Sequence, residues 1–513
     1  MSSENAVSAS AKGATTLIIL QIGSRAITFA LNQILLRFLS PELLGASVQL
    51  EIYKIGVQYF SRESLRVAAE RRSYGGVQAA INLSYLAILA NIPLGFAFAE
   101  WYRGTELMAQ VPRFGEALRV CQFAAFLELL MEPAFTTVQQ NMLYGARAAA
   151  EGTSVILKTL TVFAIFFWAH RQGKDLGVLP FAIGEVVNSV TLTVVYWAWT
   201  MRTAQVQGFS LFPKQLKSRC VTTSKCKEYC NHFLIRFHCS PDVKYILSLF
   251  SQPLLYLILS LFFQTGIKWL LTEGDKMLIL PLATLQEQGI YALAANYGGL
   301  VARMIFQPIE ISSRNLFANL CATPAQPSMK EKEAKPQSAP SETSPPTKPR
   351  SSSFAHEVNI ATAANILRDI LRAYAIISTI CFALGPIVAP LLLRLVAGPR
   401  WTNRGAGSVL GTYTFYIPFL AINGVSEAFV AATASTKDLR YQTFWMAGFS
   451  ALFGLSAWLF LSVLKLGAEG FIWANCVNMA LRIAFNMHYI QGFFHSRGQV
   501  RHILQYCRTD RPI

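Results

Sequence analysis

The chain has 513 residues, of which 53% are hydrophobic and only 14% are charged. A soluble protein carries about a quarter of its residues as Asp, Glu, Lys and Arg, so this composition excludes an ordinary soluble enzyme, and the apolar content excludes a disordered protein. The net charge of +17 does not require nucleic-acid binding, because membrane proteins collect Lys and Arg in cytoplasmic loops. The composition predicts a multi-pass membrane protein.

Apolar stretches long enough to cross a bilayer recur along the whole chain. A spanning helix needs about 20 mostly apolar residues, and lipid admits only helices or closed barrels. No barrel-like alternation is present, so the sequence predicts an all-α fold with twelve helices, or up to fourteen if 245–283 forms more than one. The predicted spans are 14–37, 43–60, 77–99, 118–140, 153–170, 177–200, 245–271, 287–310, 371–396, 408–433, 441–464 and 468–492.

These spans divide into two lobes of six helices. The N-lobe covers 14–200, and the C-lobe covers 245–321 and 354–492. The excess of Lys and Arg in alternate connections favours cytoplasmic N- and C-termini. The Pro-rich segment 322–353 cannot bury a core and is predicted to be a disordered linker. The other segments predicted to be cytoplasmic are the N-terminus 1–13, the connections 61–76, 141–152 and 434–440, the basic loop 201–244 and the basic tail 493–513.

A weak internal repeat relates the two lobes. Residues 20–25 reappear as 263–268, at an offset of 243, and 41–45 match 285–289. An even number of helices separates the copies, so both halves enter the membrane in the same direction. Parallel repeats related by an axis along the membrane normal are typical of transporters, which bind substrate between the halves.

Charged residues inside predicted spans are costly and usually mark a cavity or a partner. Arg25 and Lys268 occupy repeat-equivalent positions, which suggests an anionic substrate such as a pyrophosphate. The predicted cavity cations are Arg25, Arg37, Lys268 and Arg303. The predicted supporting or counter-ion residues are Glu51, Arg62, Glu63, Arg66, Glu273, Asp275, Lys276, Glu310 and Arg314. The alternative is that some of these residues pair locally or reach the headgroups, as we expect for Arg37, Glu273 and Lys276.

The sequence contains no constellation for catalysis. It lacks a phosphate-binding loop for ATP, a zinc-protease motif and a nucleophile elbow, so neither an enzyme nor a cofactor is predicted. Cys220, Cys226, Cys230 and Cys239 lie with two histidines in the basic stretch 213–242. Their spacing is not a standard zinc pattern, so a basic loop is favoured over a metal site.

Several motifs resemble those of a known family. They are Leu-Ser-Pro-Glu-Leu-Leu-Gly at 39–45, Ser-Arg-Glu-x-x-Arg at 61–66, the block 266–276 with its Thr-Glu-Gly-Asp-Lys, and Phe-Gln-Pro-Ile-Glu at 306–310. Together they resemble the eukaryotic Rft-type proteins of the endoplasmic reticulum, which belong to the multidrug/oligosaccharidyl-lipid/polysaccharide exporter superfamily. The likeness covers roughly 14–320 and 358–495.

The resemblance implies a function and its partners. It implies that dolichyl-pyrophosphate-linked heptasaccharide moves from cytosol to lumen for N-glycosylation, by alternating access between two lobes around a cationic cavity. The implied partners are this lipid-linked oligosaccharide, membrane lipids and candidate glycosylation-pathway proteins, with no nucleic acid. Two alternatives stay open: a cation-coupled exporter of small molecules on the same fold, and a non-transporting accessory protein of the same pathway.

Overall fold

The computed structural model describes residues 30–70, 76–104, 111–141, 143–216, 245–246, 248–321 and 350–497. These residues are almost entirely helical, which confirms the predicted all-α class. The chain divides into two compact units, Met1–Met277 and Leu278–Ile513. We describe each unit by itself.

The described part of unit 1 contains seven helices before a short hairpin. They are α1 (30–36), α2 (Pro41–Glu70), α3 (Gly76–Arg103), α4 (Phe114–Leu129), α5 (Glu132–Gln140), α6 (Tyr144–Gln172) and α7 (Leu179–Gln207). Strands β1 (Tyr245–Ile246) and β2 (Phe250–Ser251) pair antiparallel, and α8 (Gln252–Leu282) follows. The helix at the seventh predicted span therefore begins at Gln252 rather than at 245. Its second residue is Pro253, and proline suits the first turn of a helix.

Unit 2 begins inside α8 and contains the remaining helices. They are α9 (Leu285–Val301), α10 (Gln307–Leu320), α11 (Arg350–Ala397), α12 (Pro399–Thr402), α13 (Ala406–Thr433), α14 (Thr436–Trp458) and α15 (Gly467–His495). A π-helical turn, Ala302–Phe306, joins α9 to α10, and a second one, Leu459–Val463, extends α14. Helix α11 includes the last four residues of the predicted linker, 350–353, and 322–349 lies outside the described residues.

Each predicted span coincides at least in part with a described helix. Within the described residues, six helices are long and apolar enough to cross a membrane by length and composition: α3, α6, α7, α11, α13 and α14. Helix α2 has the length of a span but carries several ionised residues along one face. Those residues form the site described below.

Aromatic side chains form the centre of each unit. In unit 1, the buried Tyr53 hydroxyl donates to the Gly95 carbonyl oxygen at 3.0 Å, and the Tyr102 and Phe114 rings stack. In unit 2, Phe429 is fully buried. Its neighbours are the rings of Phe317, Phe493 and Phe494, with centroids 5.1–5.3 Å away. Aromatic packing of this kind holds the helices of each unit in a defined register.

The fourth predicted span is interrupted. Helix α4 ends at Leu129 and α5 begins at Glu132, with Pro133 in its first turn. A proline cannot donate a backbone hydrogen bond, so it suits the first turn of a helix, where the N–H has no intrahelical acceptor. The break lies between Glu128 and Glu132, two carboxylates that are buried in unit 1.

Candidate functional site

Helix α2 presents three cations on one face. Lys54, Arg62 and Arg66 are separated by multiples of four residues, and side chains four apart share a face of an α-helix. Helix α2 packs against α4 and α5, which carry Glu128 and Glu132 with the same spacing of four. The sequence thus places a row of cations against a row of carboxylates.

Lys54 forms the centre of the network. Its Nζ lies 2.8 Å from Glu128 Oε2 and 2.6 Å from Glu185 Oε2, and it donates to Ser189 Oγ at 3.2 Å. Glu185, on α7, also pairs with Lys158 of α6. The Lys54 ammonium group therefore bridges Glu128 of α4 and Glu185 of α7, and Glu185 also contacts Lys158 of α6.

Two arginines continue the row. Arg62 Nη1 donates to Glu128 Oε1 at 3.1 Å and lies 3.5 Å from Glu132 Oε1. Arg66 binds Glu132 through two atoms, Nε at 3.1 Å and Nη2 at 2.6 Å. We call the alternating series the charge ladder: Lys158, Glu185, Lys54, Glu128, Arg62, Glu132 and Arg66.

Burial makes the pairing in the ladder obligatory. The side chains of Lys54, Glu128 and Glu132 are only 6%, 7% and 2% exposed. Removing an ion from water costs several kcal/mol even after relaxation, and only complete pairing offsets that cost. With four cations and three carboxylates, the ladder keeps one formal positive charge. It joins α2, α4, α5, α6 and α7 through polar contacts as well as apolar packing.

A cavity lies beside the Arg66 end of the ladder. Arg66 stacks on the Phe135 ring with its guanidinium carbon 3.8 Å from the centroid, and Arg147 approaches the same ring at 5.5 Å. The cavity has a volume of about 210 Å³. We call it the Phe135 pocket, and its polar lining consists of Glu63, Arg66, Thr136, Gln139, Gln140 and Arg147.

Unit 2 has a smaller polar cluster. Arg482 on α15 lies 3.1 Å from Glu427 on α13, and Asn423 donates to the same carboxylate at 3.1 Å. On α10, Glu310 pairs with Arg314 at 2.8 Å, one turn apart. Both units therefore contain ion pairs between helices, but the described part of unit 2 has no alternating ladder.

A family comparison identifies the group to which this molecule belongs. The family described as Rft protein matches residues 9–509, nearly the entire sequence. The chain belongs to the Rft family. The resemblance seen in the sequence motifs is confirmed.

Curated relatives in this family match the chain over most of its length. One from Yarrowia lipolytica is 31% identical over 94% of this chain and 70% of its own. One from Saccharomyces cerevisiae is 30% identical over 94% of this chain and 83% of its own. Both bear the name Man(5)GlcNAc(2)-PP-dolichol translocation protein RFT1.

Among solved structures, the lipid II flippase MurJ in an inward closed conformation has a similar fold. The TM-score is 0.55 at 12% identity, and the alignment covers 97% of this chain and 94% of MurJ. At this identity the likeness concerns the fold alone. This Rft-family chain therefore shares its helical architecture with MurJ.

The structure brings together only some of the predicted site residues. Arg62 and Arg66 belong to the ladder, and Glu63 lines the Phe135 pocket. Arg37, Glu51 and Arg303 are exposed, and Arg303 donates to the Gly299 carbonyl oxygen at 3.1 Å. Arg25 lies outside the described residues, as do the cysteines at 220–239 and the side chains of Lys268, Glu273, Asp275 and Lys276.

Five ladder residues were not among the predicted site residues. Four of them, Glu128, Glu132, Lys158 and Glu185, are scattered over three predicted helices, and Lys54 lies on a fourth, three residues after Glu51. A signal for part of the ladder is nevertheless present, because the spacing of four on α2 matches the spacing of four between Glu128 and Glu132. Intramembrane charges with matching periodicity on two helices indicate that those helices are neighbours.

Proposed function

We propose that this chain translocates Man5GlcNAc2-PP-dolichol from the cytosolic to the lumenal leaflet of the endoplasmic reticulum membrane, for N-glycosylation of proteins. The observation that carries the proposal is the match to relatives named for this translocation over 94% of the chain. The chain would act without enzymatic chemistry of its own. Its partners would be the lipid-linked oligosaccharide, membrane lipids and candidate proteins of the glycosylation pathway.

The proposed mechanism is alternating access between two lobes that form an internal repeat. One observation supports the repeat. Helices α2 and α9 begin at Pro41 and Leu285, 244 residues apart, which is within one residue of the offset between the repeated motifs. In this mechanism the charge ladder lets the N-lobe move as one body, because its helices share buried ion pairs that would be costly to separate in lipid.

The substrate pyrophosphate would bind cations in the cavity between the lobes. Arg25 and Lys268 are the main candidates, because they occupy repeat-equivalent positions deep in predicted spans, with Arg37 and Arg303 nearer the ends. The supporting residues would orient these cations or balance their charge. Arg62 and Arg66 would support the site only through the charge ladder, because the ladder carboxylates already bind both arginines.

Removing one cavity cation is expected to impair glycosylation without loss of the protein. A charge-assisted hydrogen bond contributes about 1.5–3 kcal/mol, which corresponds to about 10- to 150-fold in affinity. Cells that carry Arg25→Ala or Lys268→Ala should underglycosylate secreted proteins and accumulate the heptasaccharide lipid, while Arg25→Lys should be milder. Arg171→Ala, an exposed arginine on α6, serves as the matched control. Normal glycosylation in the Arg25→Ala, Lys268→Ala double variant at normal abundance would contradict the cavity site.

The proposed topology has both termini and the linker 322–353 in the cytosol. The linker composition cannot pack into a core, and its flanks carry the basic residues that favour the cytoplasmic side. Single cysteines introduced into 322–353 should react with a membrane-impermeant thiol reagent in intact microsomes, above the labelling of the unmodified chain. Labelling that requires permeabilised vesicles would show that the orientation is reversed.

A further inference from the structure

The Phe135 pocket opens where the end of α2 meets α5 and the start of α6. Its volume is about 210 Å³, below the range of about 300–1,000 Å³ that is usual for pockets that take a drug-sized ligand. This volume suits a single sugar ring better than several rings at once. The adjoining segments 61–76 and 141–152 are cytoplasmic in the proposed topology, so the pocket would face the leaflet in which the substrate is made available.

The charges around the pocket argue against a phosphate ligand. Arg66 and Arg147 already have carboxylate partners, Glu132 at 2.6 Å and Glu151 at 2.8 Å. Glu63 lines the same cavity, and among the described residues no cation lies within ion-pair distance of its carboxylate. A phosphate only accepts hydrogen bonds and carries negative charge, so the Glu63 carboxylate would repel it.

The lining instead offers donors and acceptors together. Glu63 supplies acceptor oxygens, and Arg147 supplies the N–H donors other than Nε, which donates to Glu151. The Thr136 hydroxyl can both donate and accept, and the side-chain oxygen of Gln140 can accept, because its amide nitrogen already donates to the Ala69 carbonyl oxygen. Sugar hydroxyls both donate and accept, so they match this mixture without any net charge. The two guanidinium groups stacked on Phe135 keep the donors in fixed directions.

We propose that the Phe135 pocket binds one neutral sugar ring of the lipid-linked oligosaccharide, with Glu63 and Arg147 as the residues that recognise it. This inference rests on the proposed function, because the translocated lipid must carry a glycan. In this arrangement the glycan is bound at the cytosolic end of unit 1, and the pyrophosphate is bound separately by the cavity cations.

The test is equilibrium binding of a fluorescently labelled Man5GlcNAc2 glycan, released from both lipid and phosphate, to the purified chain in detergent. We expect saturable binding, and we expect Glu63→Ala and Arg147→Ala each to weaken it about 10-fold, the effect of losing one charge-assisted hydrogen bond. The matched control is Arg171→Ala, since Arg171 also lies on α6 and stacks on a phenylalanine, Phe167, at 4.8 Å. The control should bind the glycan as the unmodified chain does.

Three results would overturn the inference. The first is unchanged glycan binding in both pocket variants, and the second is no glycan binding by the unmodified chain. The third is displacement of the glycan by inorganic pyrophosphate, with tighter pyrophosphate binding in Glu63→Ala, which would make the pocket an anion site. If the pocket variants bind glycan normally and the chain still translocates lipid, only the sugar site is refuted. If glycan binding depends on the pocket but the chain moves no lipid, only the proposed translocation is refuted.

Discussion

Replacing Glu132 by Leu should destabilise the chain by about 3–5 kcal/mol, the cost of breaking a buried ion pair by removing one partner. Arg66 would lose both hydrogen bonds that hold its guanidinium group, and Arg62 would keep only Glu128. We expect a lower midpoint of thermal denaturation for the solubilised protein and reduced abundance in cells.

A double variant separates the missing charge from the missing packing. Adding Arg66→Met to Glu132→Leu removes the uncompensated guanidinium, so the double variant should recover part of the lost stability. The matched control is Glu151→Leu, which breaks an exposed pair with Arg147 on the same unit and should cost no more than about 1 kcal/mol. Equal costs for Glu132→Leu and Glu151→Leu would contradict the account of the ladder.

Replacing Lys54 by Met should be as damaging, although each carboxylate that it contacts has a second cation. Glu128 would keep Arg62, and Glu185 would keep Lys158. The two carboxylates would nevertheless face each other across the space that the ammonium group fills, because Lys54 now lies within 2.8 Å of both. Like charges in a buried site repel strongly, so we again expect a loss of about 3–5 kcal/mol, measured as the free energy of unfolding in detergent.

Lys158 is the matched comparison for Lys54. Its side chain is 31% exposed and pairs with a single ladder carboxylate, Glu185, which would keep Lys54 as a partner. Lys158→Met should therefore cost clearly less than Lys54→Met, because it leaves no buried carboxylate without a cation. Adding Glu185→Gln to Lys54→Met should restore stability, because it removes one of the two facing carboxylates. No rescue by Glu185→Gln would show that Lys54 acts through packing rather than through charge.

The helical fold follows closely from the sequence. Runs of about 20 apolar residues are a strong signal, because every backbone polar group in lipid must be satisfied within its own helix. The ends of the helices follow less closely from the sequence. The start of α8 at Gln252 depends on a two-residue strand pair, which apolar content does not reveal. The break between α4 and α5 lies next to Pro133. Prolines inside α3, α11 and α13 do not interrupt those helices, so a proline within a predicted span does not by itself indicate a break.

The candidate site was less predictable, because its residues come from distant parts of the chain. Lys54 and Glu185 are separated by 131 positions but lie 2.6 Å apart, and no local pattern indicates which helices are neighbours. The sequence motifs indicate Arg62, Glu63 and Arg66 because these recur in the family pattern. Lys54, Glu128 and Glu185 belong to none of these sequence motifs, so only the folded structure shows that they are in contact.

The most direct test of the central claim is lipid movement in proteoliposomes that contain only this purified chain. Labelled Man5GlcNAc2-PP-dolichol would be placed in both leaflets, and a mannose-specific probe added outside would report the exposed fraction over time. The account predicts that the protein accelerates exchange of the lipid between leaflets, and that the Arg25→Ala, Lys268→Ala double variant, reconstituted in equal amount, slows this exchange about 10-fold or more. Exchange no faster than in protein-free liposomes, from a folded chain that binds the lipid, would contradict translocation and indicate an accessory role.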